Sequence, residues 1–126
     1  MALREDIFAA MEQYTMSEPQ AWNTITAQDL RQSLGAKEDL FLVDVREAGE
    51  YEGGHIPGAV NISVNELPSR VKELPPDRNA RIIVYCATGR RSAYAAMFLR
   101  VYGYNDVRTL VHGIREWTGL GYPVEK

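Results

Sequence analysis

The sequence predicts an α/β domain built on a mostly parallel sheet with helices on both faces. Three observations carry this expectation. Residues 40–45 and 81–85 are apolar, branched runs of strand length, the pattern of strands buried on both sides. Segments of helical spacing or composition separate the strand-like runs, as βαβ units require. Turn signals at Gly53-Gly54, Pro57-Gly58 and Pro75-Pro76 punctuate the boundaries.

Taken in order, residues 1–15 read as an amphipathic helix. Leu3, Ile7, Met11 and Tyr14 recur at helical spacing, with Arg4, Glu5, Asp6 and Glu12 between them. Residues 1–22 are expected to form a helical extension, and 23–126 the main domain. Pro19 breaks the first helix, and residues 22–25 read as a short strand. Thr26 with Asp29 resembles a capping box opening a helix that Gly35 closes.

The buried strand 40–45 leads into a Gly-rich loop and a short strand at 60–62. Residues 66–74 read as a short helix stopped by Pro75-Pro76. After the second buried strand, residues 92–102 form a helix that is apolar nearly all round, which predicts burial against the sheet, with Gly103 as its C-cap. A strand at 107–110 and a helix at 113–120 complete the pattern.

Bulk properties narrow the function classes. A chain of 126 residues fits one hydrophobic core, and 45% hydrophobic with 25% charged residues is a soluble globular balance. A formal charge of −3 gives no general attraction to nucleic acid or anionic membrane. No apolar run approaches the ~20 residues of a membrane span, and the acidic start lacks the apolar core of a signal peptide. One cysteine leaves a free thiol, which suits a reducing compartment, so a cytoplasmic location is expected. Two histidines and one cysteine, widely spaced, do not make a metal site.

Parallel sheets bind ligands beyond the carboxyl ends of their strands, which points to the residues after Val45 and Tyr85. Cys86-Ala87-Thr88-Gly89-Arg90-Arg91-Ser92 occupies the second of these places. Gly89 permits a tight turn, and small Ala87 and Thr88 keep the loop compact, so backbone N–H groups can converge on an anion. The helix that follows adds its positive end, and Arg90 and Arg91 add two charges. Each of these lowers a thiol's pKa, so Cys86 is expected to be a nucleophilic thiolate. Ser92 is expected in the first turn of the helix, its hydroxyl facing the bound sulfur.

The loop resembles the active-site loop of rhodanese-like sulfurtransferase domains. Two further segments strengthen the likeness. Asp44-Val45-Arg46-Glu47, with Glu50-Tyr51 and the run from Gly54-His55-Ile56-Pro57 to Ile62, is similar to the family's N-terminal signature. His112-Gly113-Ile114-Arg115-Glu116-Trp117, with Gly121-Tyr122-Pro123-Val124, is similar to its C-terminal one. The resemblance covers about residues 24–124. It implies a rhodanese-like fold with a central five-stranded sheet, and persulfide chemistry at Cys86. The reaction it implies moves a sulfane sulfur from thiosulfate or a persulfide donor to a thiol, a protein thiol or cyanide, and needs no cofactor.

The remaining candidates have supporting roles. Asp44 and Arg46 are expected to form a buried ion pair or hydrogen bonds that brace the loop, rather than to act in catalysis, because a buried charge needs a partner. His55 lies in a Gly/Pro-rich turn and is expected to make hydrogen bonds rather than act as a base. Trp22 and Trp117 are expected in the core. The N-terminal helix is expected to dock on its own domain or to mediate a homodimer. Two other functions compete. A Cys-loop phosphatase or arsenate reductase needs an arginine six positions after the cysteine, where this chain has Ser92. A non-enzymatic sulfur-carrier or interaction module needs no turnover, and such modules often lack the loop cysteine.

Overall fold

The computed structural model describes residues 5–16 and 23–126. Leu3, Pro19 and Trp22, and the side chains of Met11 and Tyr14, lie outside the described residues. Helix α1 (Glu5–Met16) precedes β1 (Thr24–Ile25), α2 (Ala27–Gly35), β2 (Phe41–Asp44), α3 (Ala48–Glu52) and β3 (Val60–Asn61). A 3-10 segment (Leu67–Glu73) then leads to β4 (Arg81–Tyr85), α4 (Arg90–Tyr102), β5 (Asp106–Leu110) and α5 (Gly113–Gly119).

All five strands are parallel, in the order β1-β5-β4-β2-β3. The central strand β4 shows why its run is apolar throughout. Ile82, Val84 and Cys86 join the core under α4, with Ala95, Ala96 and Leu99. Ile83 and Tyr85 join the opposite core, with Leu30 of α2 and with Ile114 and Trp117 of α5. The strand's two-residue period therefore feeds two cores at once. Asp44 at the end of β2 lies in register with Tyr85, so both strand ends reach the same edge of the sheet.

Several expectations need revision. Thr26 caps α2 by accepting from the Asp29 backbone N–H at 3.0 Å, but the helix runs through Gly35 and ends at Ala36. In place of a helix over 66–74, Leu67–Glu73 forms a 3-10 segment bent at Arg70. Pro68 lacks a donor, and Pro75 forces Leu74 into an extended conformation, leaving too few residues for an α-helical ladder. Within the stretch read as a loop after β2, α3 forms; its reciprocal cap is made by Glu47 and Glu50.

α4 is buried on one stripe only, Ser92, Ala95, Ala96 and Leu99, while Tyr94 is 65% exposed. A helix can turn only one face to a sheet; α1 lies against α4. Ile7 of α1 is exposed rather than buried. Among the described residues, no helix is long and apolar enough to cross a membrane.

Candidate active site

Cys86 follows the last residue of β4, and α4 begins four residues later, so the loop must reverse within 86–89. Gly89 makes the reversal at φ +124°, a conformation that side chains other than hydrogen resist. The turn folds backbone donors onto the cysteine. The Gly89 N–H donates to Cys86 Sγ at 3.1 Å and the Ser92 N–H at 3.4 Å. Ser92 Oγ lies 3.6 Å from Sγ and donates to the Gly89 carbonyl at 3.1 Å. When the thiol ionises, the same hydroxyl can turn its proton to sulfur.

Burial alone would push the Cys86 thiol up. The Ser92 backbone and hydroxyl, then the Gly89 and Thr88 backbone groups, outweigh burial and hold it below the ordinary cysteine value. The thiolate is thereby more accessible than that of an ordinary cysteine. Removing one of these donors must raise the pKa again. Ser92→Ala is therefore expected to move the pH profile of Cys86 alkylation to higher pH. Alkylation at pH 7 should slow several-fold. A profile coincident with that of the wild type would remove the hydroxyl from the site.

The loop keeps its shape because α5 holds it from behind. Ile114 N–H donates to the Cys86 carbonyl at 2.9 Å, and Arg115 N–H to the Ala87 carbonyl at 3.0 Å. With these two carbonyls turned to α5, the Thr88 and Gly89 N–H groups are left to face the sulfur. That approach is too close for any side chain at Gly113. A Cβ there would lie 2.4 Å from the Ala87 oxygen and 2.5 Å from the Cys86 oxygen. His112 enters the helix in the left-handed region at φ +61°.

The two loop arginines differ in their partners. Arg91 is held by Glu50 in a two-pronged ion pair, Nη1 to Oε1 at 2.7 Å and Nη2 to Oε2 at 3.1 Å. The Glu50 carboxyl is held down to about 2 by the Arg91 hydrogen bonds first, opposed by burial and aided by the Glu47 backbone. Arg90 is exposed and makes no hydrogen bond or ion pair among the described residues. The leading stabilisers of the thiolate are the Ser92, Gly89 and Thr88 donors, while Arg91, clamped on Glu50, also feels the charge of Cys86. Of the other loop residues, Thr88 is exposed and Ala87 half-buried.

Asp44 and Arg46 form the expected buried pair, with Arg46 Nε at 3.0 and 3.1 Å from the two carboxylate oxygens and Nη2 at 2.7 Å from Oδ2. Arg46 also donates to the Gly54 carbonyl at 2.8 Å, and Asn61 ties the Asp44 and Arg46 carbonyls at 2.9 Å each. Removing one partner of such a pair costs about 3–5 kcal/mol, so its role is to hold the loop after β2. Tyr85, pushed well up by burial, accepts the Ile56 N–H at 3.0 Å and joins the same brace. His55 stacks on Tyr51 at 3.7 Å between ring centres and bonds the Tyr51 carbonyl through Nδ1. Its backbone pairs in both directions with Glu125. His55 is architectural, and Trp117 is core, as expected.

A cleft of about 580 Å³ opens at the amino ends of the strands, away from Cys86. Within it Arg81 pairs with Glu38 at 3.2 Å and Asp106 at 3.4 Å. The Cys86 loop lies at the opposite edge.

The family model described as "Rhodanese-like domain" matches residues 26–120. A protein of Allochromatium vinosum named "Sulfurtransferase" is 37% identical over 102 residues, covering 81% of this chain and 94% of that one. A Bacillus subtilis protein whose name describes it as a sulfur carrier, YrkF, is 40% identical over 95 residues. That match covers 75% of this chain but only 50% of the Bacillus protein. The crystal structure of a rhodanese-related protein from Thermoplasma volcanium superposes with a TM-score of 0.72 at 36% identity, covering 82% of this chain and 98% of that one.

Proposed function

The chain belongs to the rhodanese-like domain family, and from that premise we propose that it is a sulfurtransferase working through a Cys86 persulfide. The observation that carries this reading is the cradle around Sγ, where Gly89 and Ser92 N–H groups point at the sulfur from 3.1 and 3.4 Å. A persulfide keeps its negative charge one atom further out, so donors arranged for a thiolate also suit the loaded enzyme.

In the first half-reaction, Cys86–S⁻ attacks the outer sulfur of R–S–S⁻. The S–S bond of the donor breaks, R–S⁻ leaves with the bonding pair, and Cys86–S–S⁻ remains. Thiosulfate reacts in the same sense and leaves sulfite. In the second half, an acceptor thiolate or cyanide attacks the outer sulfur and Cys86–S⁻ departs. The 126 residues contain one cysteine, so the acceptor lies outside them.

Loop length argues against a phosphatase. Arg91 stands five positions after Cys86, one short of the arginine that would wrap a tetrahedral oxyanion, and Glu50 already occupies it. The sixth position is Ser92, whose hydroxyl faces the sulfur.

The test is intact mass after incubation with thiosulfate or cysteine persulfide. A gain of one sulfur atom, reversed by cyanide with formation of thiocyanate, is expected. Aryl phosphate hydrolysis faster than thiocyanate formation would transfer the assignment to phosphoryl chemistry.

A further inference from the structure

α4 carries two stripes, and the sheet covers only one of them. Ser92, Ala95, Ala96 and Leu99 are buried. Tyr94, Met97, Phe98 and Val101 recur at helical spacing on the side away from the sheet. α1 lies against α4, yet Tyr94, Tyr102 and Ile7 of α1 remain exposed. A groove of about 280 Å³, lined by Tyr94, Met97, Phe98 and Val101, stays open along the second stripe. Its far end is held in place, since Phe98 stacks on Tyr102 at 5.7 Å and the Arg78 guanidinium lies over Tyr102 at 4.5 Å. Tyr, Phe, Met and Arg are the residues that enrich the cores of protein interfaces.

The charges on the two helices are opposite. Residues 5–16 contain Glu5, Asp6 and Glu12 and no lysine or arginine, whereas residues 90–102 contain Arg90, Arg91 and Arg100 and no aspartate or glutamate. Arg91 is paired with Glu50, and Arg100 donates to the Val107 carbonyl. Arg90 stands one turn before Tyr94 on the same side of α4. Glu5 and Arg90 are exposed and make no hydrogen bond or ion pair among the described residues. An unpaired acid and an unpaired base, each beside uncovered apolar groups, form a surface complementary to a copy of itself turned about a two-fold axis.

We propose that the α1–α4 face is where a second copy of this chain docks. Around the two-fold axis, Glu5 of each copy meets Arg90 of the other, and the Tyr94 stripe is buried between them. The aromatic stripe supplies the affinity and the charges set the orientation. A helix as short as α1 is marginal alone in water, so the second copy also holds it in place.

Light scattering or sedimentation of the full chain over a concentration series should show a monomer–dimer equilibrium with Kd in about the micromolar range. Tyr94→Glu places a charge in the stripe at a position that the monomer leaves exposed, and should raise Kd by about tenfold or more. Arg90→Glu should weaken the dimer too, and Arg90→Glu/Glu5→Arg should recover most of the loss. In the wild type, amide exchange over residues 5–16 and 90–102 should slow as concentration rises through Kd, a measurement that needs no variant. A chain that stays monomeric up to about 1 mM would overturn the proposal. So would a dimer unchanged by Tyr94→Glu, or an Arg90→Glu loss that Glu5→Arg does not restore. Should Tyr94→Glu fail to fold, exchange in the wild type decides, and rates independent of concentration would rule the interface out.

Discussion

Cys86→Ser is expected to reduce sulfur transfer by about a thousandfold or more while leaving the domain folded, because the variant keeps the cradle and loses the nucleophile. A serine hydroxyl stays protonated near neutral pH, and neutral N–H donors of the kind that surround Sγ cannot bring it within reach of ionisation. Structurally the exchange is mild. Cys86 is 1% exposed and its neighbours are hydrogen-bond donors, which a serine oxygen can accept at least as well as sulfur does. The stability change should stay within about 1–2 kcal/mol, as for most single substitutions. Activity measured beside thermal melting separates the two effects. Turnover retained in a folded Cys86→Ser protein would remove the thiolate from the mechanism.

Gly113→Ala should damage both stability and chemistry, although residue 113 never touches a substrate. Two independent penalties meet there. The backbone sits at φ +62°, where an added Cβ costs about 1–2 kcal/mol. The Cβ would also stand 2.4 and 2.5 Å from the Ala87 and Cys86 carbonyl oxygens, backbone atoms with no freedom to move aside. α5 must then retreat, giving up the bonds from Ile114 and Arg115 that orient the loop.

A loss of about 3 kcal/mol or more is expected, lowering Tm by about 10 °C or more. The pH profile of Cys86 alkylation should move upward as the loop donors turn away from sulfur. Gly49→Ala is the control, since nothing lies within 4 Å of its Cβ and it occupies a helix. That change should be neutral or stabilising by up to about 1 kcal/mol. Equal melting temperatures and alkylation profiles for Gly113→Ala and the wild type would show that the close approach is unimportant.

The proposed reacting group was legible in the sequence because its signals are local. A buried strand, one cysteine, small residues, a glycine and a helix start follow one another without interruption from 81 to 92. Their backbone consequences follow from the same short stretch. The Asp44–Arg46 pair was legible for the same reason, being two residues apart on one strand end. α3 was missed because it has five residues and no apolar periodicity. Only the reciprocal spacing of Glu47 and Glu50 marked it. The 3-10 segment at Leu67–Glu73 was misread because proline positions, more than composition, set its geometry.

By itself, then, the sequence determined the parallel α/β architecture, the proposed nucleophile and the compact loop that holds it. These depend on period, turn residues and neighbours within a few positions, where bonded geometry leaves few alternatives. Only the tertiary structure decided where the charges go and what supports the loop. Arg91 and Glu50 are 41 positions apart, and Gly113 meets Cys86 and Ala87 across the sheet edge. An arginine beside a cysteine in sequence can serve the thiolate or a distant carboxylate. Coulomb energy falls with distance in space, not along the chain, so packing made the carboxylate the main partner of Arg91 and the cysteine a lesser one.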